Sequence, residues 1–403
     1  MTALLVFALT YALIAGRRLR WLPIGRPAGA LLGAVGMVAV GALTPAQTYA
    51  AIDHNTITLL FGMMGLSAYM AEAGGFERIA AGVLRRCRTG ASQLLGLNLV
   101  SGGLAALLVH DTVCVFLTPV VLSVCRQAGL PYGPFLIALA TSANLGSAAT
   151  VVGNPQNMLI GGLGQLSFGS FFALSGPVAA LGLACNGGLL HLYYGRHLRA
   201  PLVVAPPPAA PASSDLRLVL GVVAGVLVGF LLDWNLGYTA MGGLVALTLL
   251  ERREPAHVFR RVDWTLLVFF CCLFIVVAGL NTTGLPAQAW AAIAPHLDLG
   301  QAAGVATFTA AMTLGSQLVS NVPMVMLVGP HLQGAGDVQW ILLAFVLTVA
   351  GNLTLLGSVA NLIVAESARE VYALGFREYL RFGLVSTLIA LATGVPLLLW
   401  LAR

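Results

Sequence analysis

Long apolar stretches recur along the whole chain, separated by short polar or arginine-rich segments. The stretch 264–280, for example, is apolar on every helical face and shows no strand-like alternation of apolar and polar residues. A helix needs about 20 mostly apolar residues to cross a bilayer, whereas strands of a membrane barrel alternate over about ten residues. The pattern therefore predicts an all-α polytopic membrane protein with about ten spans in total.

Composition narrows the class of protein further. Hydrophobic residues make up 59% of the chain and charged residues only 8%, whereas a soluble domain carries about 25% charged residues. This excludes a soluble enzyme, a nucleic-acid-binding domain and a disordered chain. The net charge of +6 comes from arginines clustered between apolar stretches, which is the positive-inside pattern of a membrane protein. The expected environment is the lipid bilayer, and nucleic acid is not an expected partner.

The arginine clusters also predict an orientation. If they face the cytoplasm of a bacterial inner (plasma) membrane, the N- and C-termini of this multi-pass chain lie outside. The proline-rich segment 200–215 is then a cytoplasmic linker. It divides the chain into a first repeat, residues 1–199, and a second repeat, residues 216–403.

Each repeat contains a polar interruption inside two of its apolar segments. The first repeat has a hairpin tip at 110–112 and a helix over 134–164 that is broken by glycine and proline. The second has a hairpin tip at 320–323 and a broken helix over 338–368. We expect five spans and one re-entrant hairpin per repeat. An odd number of spans makes the two repeats inverted relative to each other.

Inverted repeats with paired broken helices are typical of secondary transporters whose binding site lies at the middle of the membrane. Helix ends at that depth offer free N–H or C=O groups, and nearby amides and hydroxyls add neutral ligands. Any single serine or threonine among them can instead bond to its own helix. The candidate substrate- and ion-binding residues are His110, Asp111, Thr112, Ser142, Asn144, Thr150, Gly153, Asn154, Pro155, Asn157, Ser320, Asn321, Pro323, Asn352, Thr354, Gly357, Ser358 and Asn361.

Asp111 is the most informative of these residues, because an acidic side chain within a membrane segment is a functional hypothesis by default. It is expected to exchange a proton or to ligate a cation, with His110 as a neighbour that tunes it. The alternative is that both residues only cap the hairpin tip. Because the coupling ion is H⁺ or Na⁺, no cofactor is expected. Sodium is expected near Asp111, Asn144, Asn321 and Asn361.

Enzyme chemistry finds no support in the sequence. There is no metal-ligand spacing of His or Glu, no nucleophile elbow and no nucleotide-binding loop. A chain of this kind is expected to be a permease and not an enzyme. Coupling to ATP would require a separate ATPase subunit.

The chain resembles the ion transporter superfamily, which joins arsenite permeases, sodium/proton antiporters and citrate or dicarboxylate transporters. The resemblance covers nearly the whole chain. It implies a homodimer with an elevator mechanism, in which a scaffold holds the first three spans of each repeat and a transport domain holds the hairpins and broken helices. The residues that carry it are Leu59–Met64, Asp111–Pro119, Ser142–Ser147, Gly153–Asn157, Ser320–Pro323 and Gly357–Asn361.

The substrate prediction depends on the first tip. Sodium/dicarboxylate members carry Ser-Asn-Thr at both tips, whereas this chain has His110, Asp111 and Thr112 at the first. The arsenite-permease type of tip is more similar. An anion is repelled by an ionised Asp111, whereas a neutral oxyacid is not. The favoured substrate is therefore a small oxyanion or its neutral acid of the arsenite type. A citrate or dicarboxylate transporter is the second hypothesis, and a sodium/proton antiporter is the third.

Overall fold

A computed structural model describes residues 2–15, 25–84, 86–198, 215–252 and 254–403. All regular elements of these residues are helices. The predicted linker 200–215, apart from Asp215, lies outside the described residues. The first half of the chain contains α1 (Thr2–Ala15), α2 (Arg26–Ala39), α3 (Pro45–Ala51), α4 (His54–Glu72), α5 (Gly75–Leu84), α6 (Gly90–Leu107), α7 (His110–Ala128), α8 (Tyr132–Ser147), α9 (Pro155–Leu163) and α10 (Phe168–Tyr193).

The second half repeats this order of long helices, hairpin and broken helix. It contains α11 (Leu216–Leu231), α12 (Leu236–Glu251), α13 (Ala256–Phe259), α14 (Trp264–Asn281), α15 (Leu285–Ile293), α16 (Ala302–Val319), α17 (Asn321–Val328), α18 (Asp337–Ala350), α19 (Val359–Ala368) and α20 (Phe376–Leu401). The all-α polytopic fold class is confirmed.

The helices are interrupted at four places beside glycine, proline or polar residues, and residues 110–112, predicted as the first hairpin tip, form the first turn of α7. The chain leaves the helix between α6 and α7, between α8 and α9, at Ser320, and between α18 and α19. The short helices α3, α5, α13 and α15 were not predicted. Of these, α5 turns by 66° from the axis of α4, at Gly74, whose φ of +65° favours glycine.

Length and composition identify six described helices that are able to cross a membrane, or seven if α4 and α5 form one bent span. Both arms of the first hairpin, α6 and α7, are among the six. Helices such as α2 have 14 residues, which corresponds to about 21 Å and is shorter than the hydrocarbon core of about 30 Å. The chain is a multi-pass membrane protein.

The helices pack as two groups. In the first group, α4 packs against α12 and α2 packs against α14, with α1 and α11 on the flanks. In the second group, α7 packs against α19 and α9 packs against α17, with α8, α18, α10 and α20 around them. Each of these contacts pairs a helix of one half with a helix of the other. Within each group the two contacts are equivalent, because the helices of one pair are the counterparts of those in the other pair. Two repeats related by a two-fold axis pack in this way.

The crossing of α4 and α12 depends on a close backbone approach at Gly62. A Cβ atom at this position would lie 2.8 Å from the Cβ of Ala240 and 2.9 Å from the backbone nitrogen of Met241. In helix packing within membranes, small residues allow such an approach. This contact is one of those that join the two halves.

We predict that Gly62→Ala separates α4 from α12 and destabilises the protein by about 1–3 kcal/mol, the usual cost of overpacking. Thermal unfolding in detergent measures the effect. The matched control is Gly242→Ala in α12, where a Cβ would meet nothing within 4 Å and the helix would gain about 0.5–1 kcal/mol. Equal unfolding temperatures for the two variants would contradict the close approach.

Candidate functional site

Four helix N-termini meet around one small cavity with a volume of about 20 Å³. They belong to α7, α9, α17 and α19, which supply both hairpin tips and the second half of both broken helices. Each N-terminus carries a partial positive charge of roughly half an elementary charge. The cavity is closed on the side of the first helix group by α14. Its lining residues are His110, Asp111, Pro155, Gln156, Phe269, Phe270, Leu273, Ser320, Asn321, Val322, Pro323, Ser358 and Val359.

The first tip places a carboxyl group inside the protein. Asp111 is 3% exposed, and neither of its carboxyl oxygens has a hydrogen-bond partner among the described residues. The His110 ring lies beside it, with 3.5 Å between Nε2 and Oδ1. The backbone N–H of His110 donates to the carbonyl of Gly153 at 2.9 Å, and its Nδ1 lies 3.2 Å from the same oxygen. The first tip is thus attached to the first break.

The second tip is strained. Ser320, which separates α16 from α17, has a φ of +72° and a ψ of 164°, a conformation that costs a residue other than glycine about 1–3 kcal/mol. The next residue, Asn321, is 6% exposed and its side-chain oxygen has no partner among the described residues. Strain and an unsatisfied buried acceptor at one tip are typical of a ligand-binding segment.

Equivalent asparagines support the two breaks in the same way. The Nδ2 group of Asn157 donates to the carbonyls of Ser147 and Thr150 at 3.2 and 3.0 Å. The Nδ2 group of Asn361 donates to the carbonyls of Gly351 and Thr354 at 2.8 and 3.0 Å. These carbonyls belong to the ends of α8 and α18 and to the loops that follow. Each asparagine satisfies acceptors that have lost their helical partners.

A cluster of amides joins the two breaks at the centre of the second helix group. The Nδ2 group of Asn144 donates to Oδ1 of Asn352 at 2.8 Å and to Oδ1 of Asn361 at 2.9 Å. Its Oδ1 atom accepts from the hydroxyl of Ser358 at 3.0 Å. Asn352 in turn donates to the carbonyl of Thr141 at 3.0 Å. Asn144 from the first repeat thereby connects three residues of the second.

Most of the remaining candidates position the breaks rather than line the cavity. The hydroxyl of Thr150 donates to the carbonyl of Ala106, and that of Thr354 donates to Gln317. Asn154 caps α9 by accepting from the N–H of Asn157 at 2.8 Å. A Cβ at Gly153 would collide with the carbonyl of Ser147. Gly357 likewise leaves room for the carbonyl of Gly351 and the side chain of Gln317.

Two candidates lie elsewhere. Thr112 points into a second cavity, beside Arg261 and Asp263. The hydroxyl of Ser142 donates to Asn98 at 2.8 Å, in a second buried network that also includes Asn186 and meets the amide cluster at Thr141. That network holds α6, α8, α10 and α20 together and does not reach the cavity.

Sequence reasoning missed Gln156, Phe269 and Phe270 as lining residues. Gln156 lies inside the motif Gly153–Asn157, so its position was a usable signal. The two phenylalanines lie in a helix that is apolar throughout, where nothing distinguishes a cavity wall from ordinary packing. Asn98 and Asn186 were missed because each lies in the middle of a largely apolar helix, away from any break.

The four predicted sodium ligands fall into two pairs. Asp111 and Asn321 have side-chain oxygens without hydrogen-bond partners in the described residues, and both line the cavity. The oxygens of Asn144 and Asn361 accept hydrogen bonds behind it. Within the described ranges, no group of three His, Cys, Asp or Glu side chains is placed to hold a metal ion.

This combination of broken helices, unsatisfied buried polar atoms and a cavity inside a multi-pass membrane protein defines a transporter. The chain belongs to the family described as citrate transporter (CitMHS), whose model matches residues 11–350. The homodimer and elevator features that the superfamily resemblance implies stay predictions.

Two relatives from other organisms are also transporters by name. The chain is 34% identical to the silicon efflux transporter LSI3 of Oryza sativa subsp. japonica, over 94% of this chain and 93% of that protein. It is 30% identical to the putative transporter arsB of Dictyostelium discoideum, over 95% of this chain and 88% of that one. The crystal structure of the Alcanivorax borkumensis YdaH transporter matches with a TM-score of 0.53 and 13% identity, covering 100% and 97% of the two chains. That match shows a shared fold.

We predict that Asn157→Ala and Asn361→Ala each abolish transport while the protein still folds. Each change removes two hydrogen bonds to loop carbonyls, and unsatisfied acceptors at this depth cost about 1–3 kcal/mol apiece. The breaks should then lose their shape. Uptake in proteoliposomes and thermal unfolding are measured together.

The matched control is Asn186→Ala, which removes buried hydrogen bonds to Asn98 and Thr141 at 2.9 and 3.2 Å away from the cavity. It should lower the unfolding temperature by a similar amount and leave transport largely intact. Full transport by Asn157→Ala or Asn361→Ala would show that the matched asparagines serve packing alone.

Proposed function

We propose that this protein is a secondary-active permease for a small oxyanion or its neutral acid of the arsenite type, coupled to H⁺ or Na⁺. The observation that carries the proposal is the composition of the cavity. Among the described residues that line the cavity, Asp111 is the one acidic residue, and none is an arginine. A substrate rich in hydroxyls can bond to the N-termini and the amide of Asn321 without a countercharge.

The geometry disfavours a polycarboxylate for the same reason. Citrate would bring several negative charges beside Asp111, and only partial positive charges at the helix ends would offset them. Repulsion between like charges at such distances costs several kcal/mol in a site of low dielectric constant, by order of magnitude. A citrate or dicarboxylate transporter stays the second candidate because the matching family model carries that description.

The names of the relatives support the oxyacid. The rice protein is named a silicon efflux transporter and the Dictyostelium protein an arsB transporter. Silicic acid and arsenous acid are both small, hydroxyl-rich and largely uncharged at neutral pH. Both are therefore candidate substrates of this chain.

The two helix groups support an elevator mechanism. The cavity lies between α14 of the first group and the four N-termini of the second group. A movement of the second group along α14 would carry the tips, breaks and substrate together, with α1, α2, α4, α11, α12 and α14 as the scaffold. The homodimer, the cytoplasmic arginine clusters and the outer termini are part of the same proposal.

A substrate panel in proteoliposomes tests the function. Arsenite and silicic acid are each compared with citrate and succinate under a proton or sodium gradient. Gradient-driven movement of an oxyacid supports the proposal. Movement of citrate or succinate alone supports the second candidate, and a sodium-driven pH change without either supports the third, a sodium/proton antiporter.

We predict that Asp111→Asn uncouples transport from the ion gradient. A carboxyl group at this depth is stable only when it holds a proton or a bound cation. An amide needs neither, so the transport domain would move without a coupling ion. Gradient-driven accumulation should fall to background, while substrate exchange across equal gradients survives.

His110→Gln should shift the pH dependence of transport without removing it. The control is Asp298→Asn, an exposed residue that accepts from the N–H of Gly300 at 2.9 Å and should behave as wild type. Accumulation by Asp111→Asn at the wild-type rate would exclude Asp111 as the carrier and leave the asparagine-lined breaks as the coupling site.

A further inference from the structure

Asp111 lines two cavities. The first is the substrate cavity between the tips. The second, with a volume of about 270 Å³, is lined by Asp111 together with Arg261 and Asp263. Its lining residues are Met64, Asp111, Thr112, Val115, Phe116, Arg261, Asp263, Leu266 and Ile363.

The two cavities follow each other along α14. Leu266 lines the second cavity, and Phe269 and Phe270 line the first. Residues three or four positions apart are one turn apart on a helix, about 5 Å along its axis. Asp111 lines both cavities, and the exposed Asp263 lines the second one with it.

The charges around the second cavity favour a cation. The guanidinium Nε of Arg261 donates to the carboxylate of Glu72 at 3.1 Å, and Nε2 of His257 lies 3.0 Å from the other oxygen of that carboxylate. The positive charge of Arg261, which lines the cavity, is therefore paired with the carboxylate of Glu72. Asp263 is exposed at the rim, and the deeply buried Asp111 presents carboxyl oxygens without hydrogen-bond partners in the described structure.

We propose that this second cavity is the vestibule through which the coupling cation, H⁺ or Na⁺, exchanges with Asp111, and that Asp263 draws the cation to its rim. The proposal rests on the proposed function, because it assigns a route to the coupling ion of that transporter. It separates the path of the ion from the path of the substrate: the ion passes Asp263, and the substrate occupies the cavity between the tips.

The chain offers a matched control for Asp263. Asp263 caps α14 by accepting from the N–H of Leu266 at 2.9 Å, and Asp53 caps the equivalent helix α4 by accepting from Thr56 at 2.6 Å. Asparagine is as good an N-cap as aspartate. Asp263→Asn and Asp53→Asn therefore remove one charge each and keep the two helix starts, but Asp53 is not part of either cavity.

The first test does not depend on transport. Val115 lines the vestibule one turn beyond Asp111 and is 40% exposed. Val115→Cys is introduced into a chain whose six native cysteines are replaced, and the purified protein in detergent reacts with a cationic or an anionic methanethiosulfonate of similar size. We expect the cationic reagent to react faster, and Asp263→Asn to lower the rate ratio by about three-fold or more.

Asp53→Asn should leave the rate ratio unchanged. Equal rates for the two reagents, or a rate ratio that Asp263→Asn leaves unchanged, would overturn the proposed vestibule. A preference for the anionic reagent would assign the cavity to the substrate, and absence of labelling would show that it is closed to solutes.

The second test measures coupling in proteoliposomes with arsenite as the substrate. Asp263→Asn should raise the sodium or proton concentration for half-maximal transport by about three-fold, with the maximal rate and the exchange of arsenite across equal gradients unchanged. Asp53→Asn should match wild type. An unchanged half-saturating concentration overturns the proposal, whereas failure of arsenite transport in every protein, wild type included, overturns the proposed function and leaves the labelling result to decide on the vestibule.

Discussion

The structure depends on one constraint: a helix that stops inside a membrane protein must have its freed carbonyls satisfied by other groups of the protein. Asn157 and Asn361 meet this requirement in the two breaks with the same pair of hydrogen bonds. Because the carbonyls at the ends of α8 and α18 are held, α9 and α19 can begin again with their N-termini at the cavity. Asn144 then links the two breaks, so that the first repeat fixes the position of the second.

The site that results combines opposite features. Four helix ends contribute partial positive charge, while a buried carboxyl group contributes the negative charge. No arginine in the described cavity lining neutralises the carboxyl group. A cavity of this kind is suited to a polar ligand with little net charge together with a small cation. The backbone of Ser320 at the second tip is strained, and binding of a ligand there can release that strain.

Much of the fold followed from the sequence because apolar length and polar interruption are strong local signals. The hairpin tips, the breaks and the equivalence of Asn157 and Asn361 could be predicted in this way. What could not be predicted depends on neighbours distant in the chain. Ser142 bonds to Asn98 and not into the cavity, Thr112 faces the vestibule, and Phe269 and Phe270 form a wall. No local pattern distinguishes these roles, because they arise from which helices pack together.

The packing of α4 from the first half against α12 from the second half has a consequence for the synthesis and insertion of the protein. Helix α4 ends at Glu72, whereas its packing partner α12 begins at Leu236. At a synthesis rate of about 5–20 residues per second, the partner follows roughly 10–30 s later. During that interval the close-approach surface around Gly62 has no partner from its own chain. Until the second half is inserted, this surface of the first half is therefore accessible to lipid or to membrane chaperones.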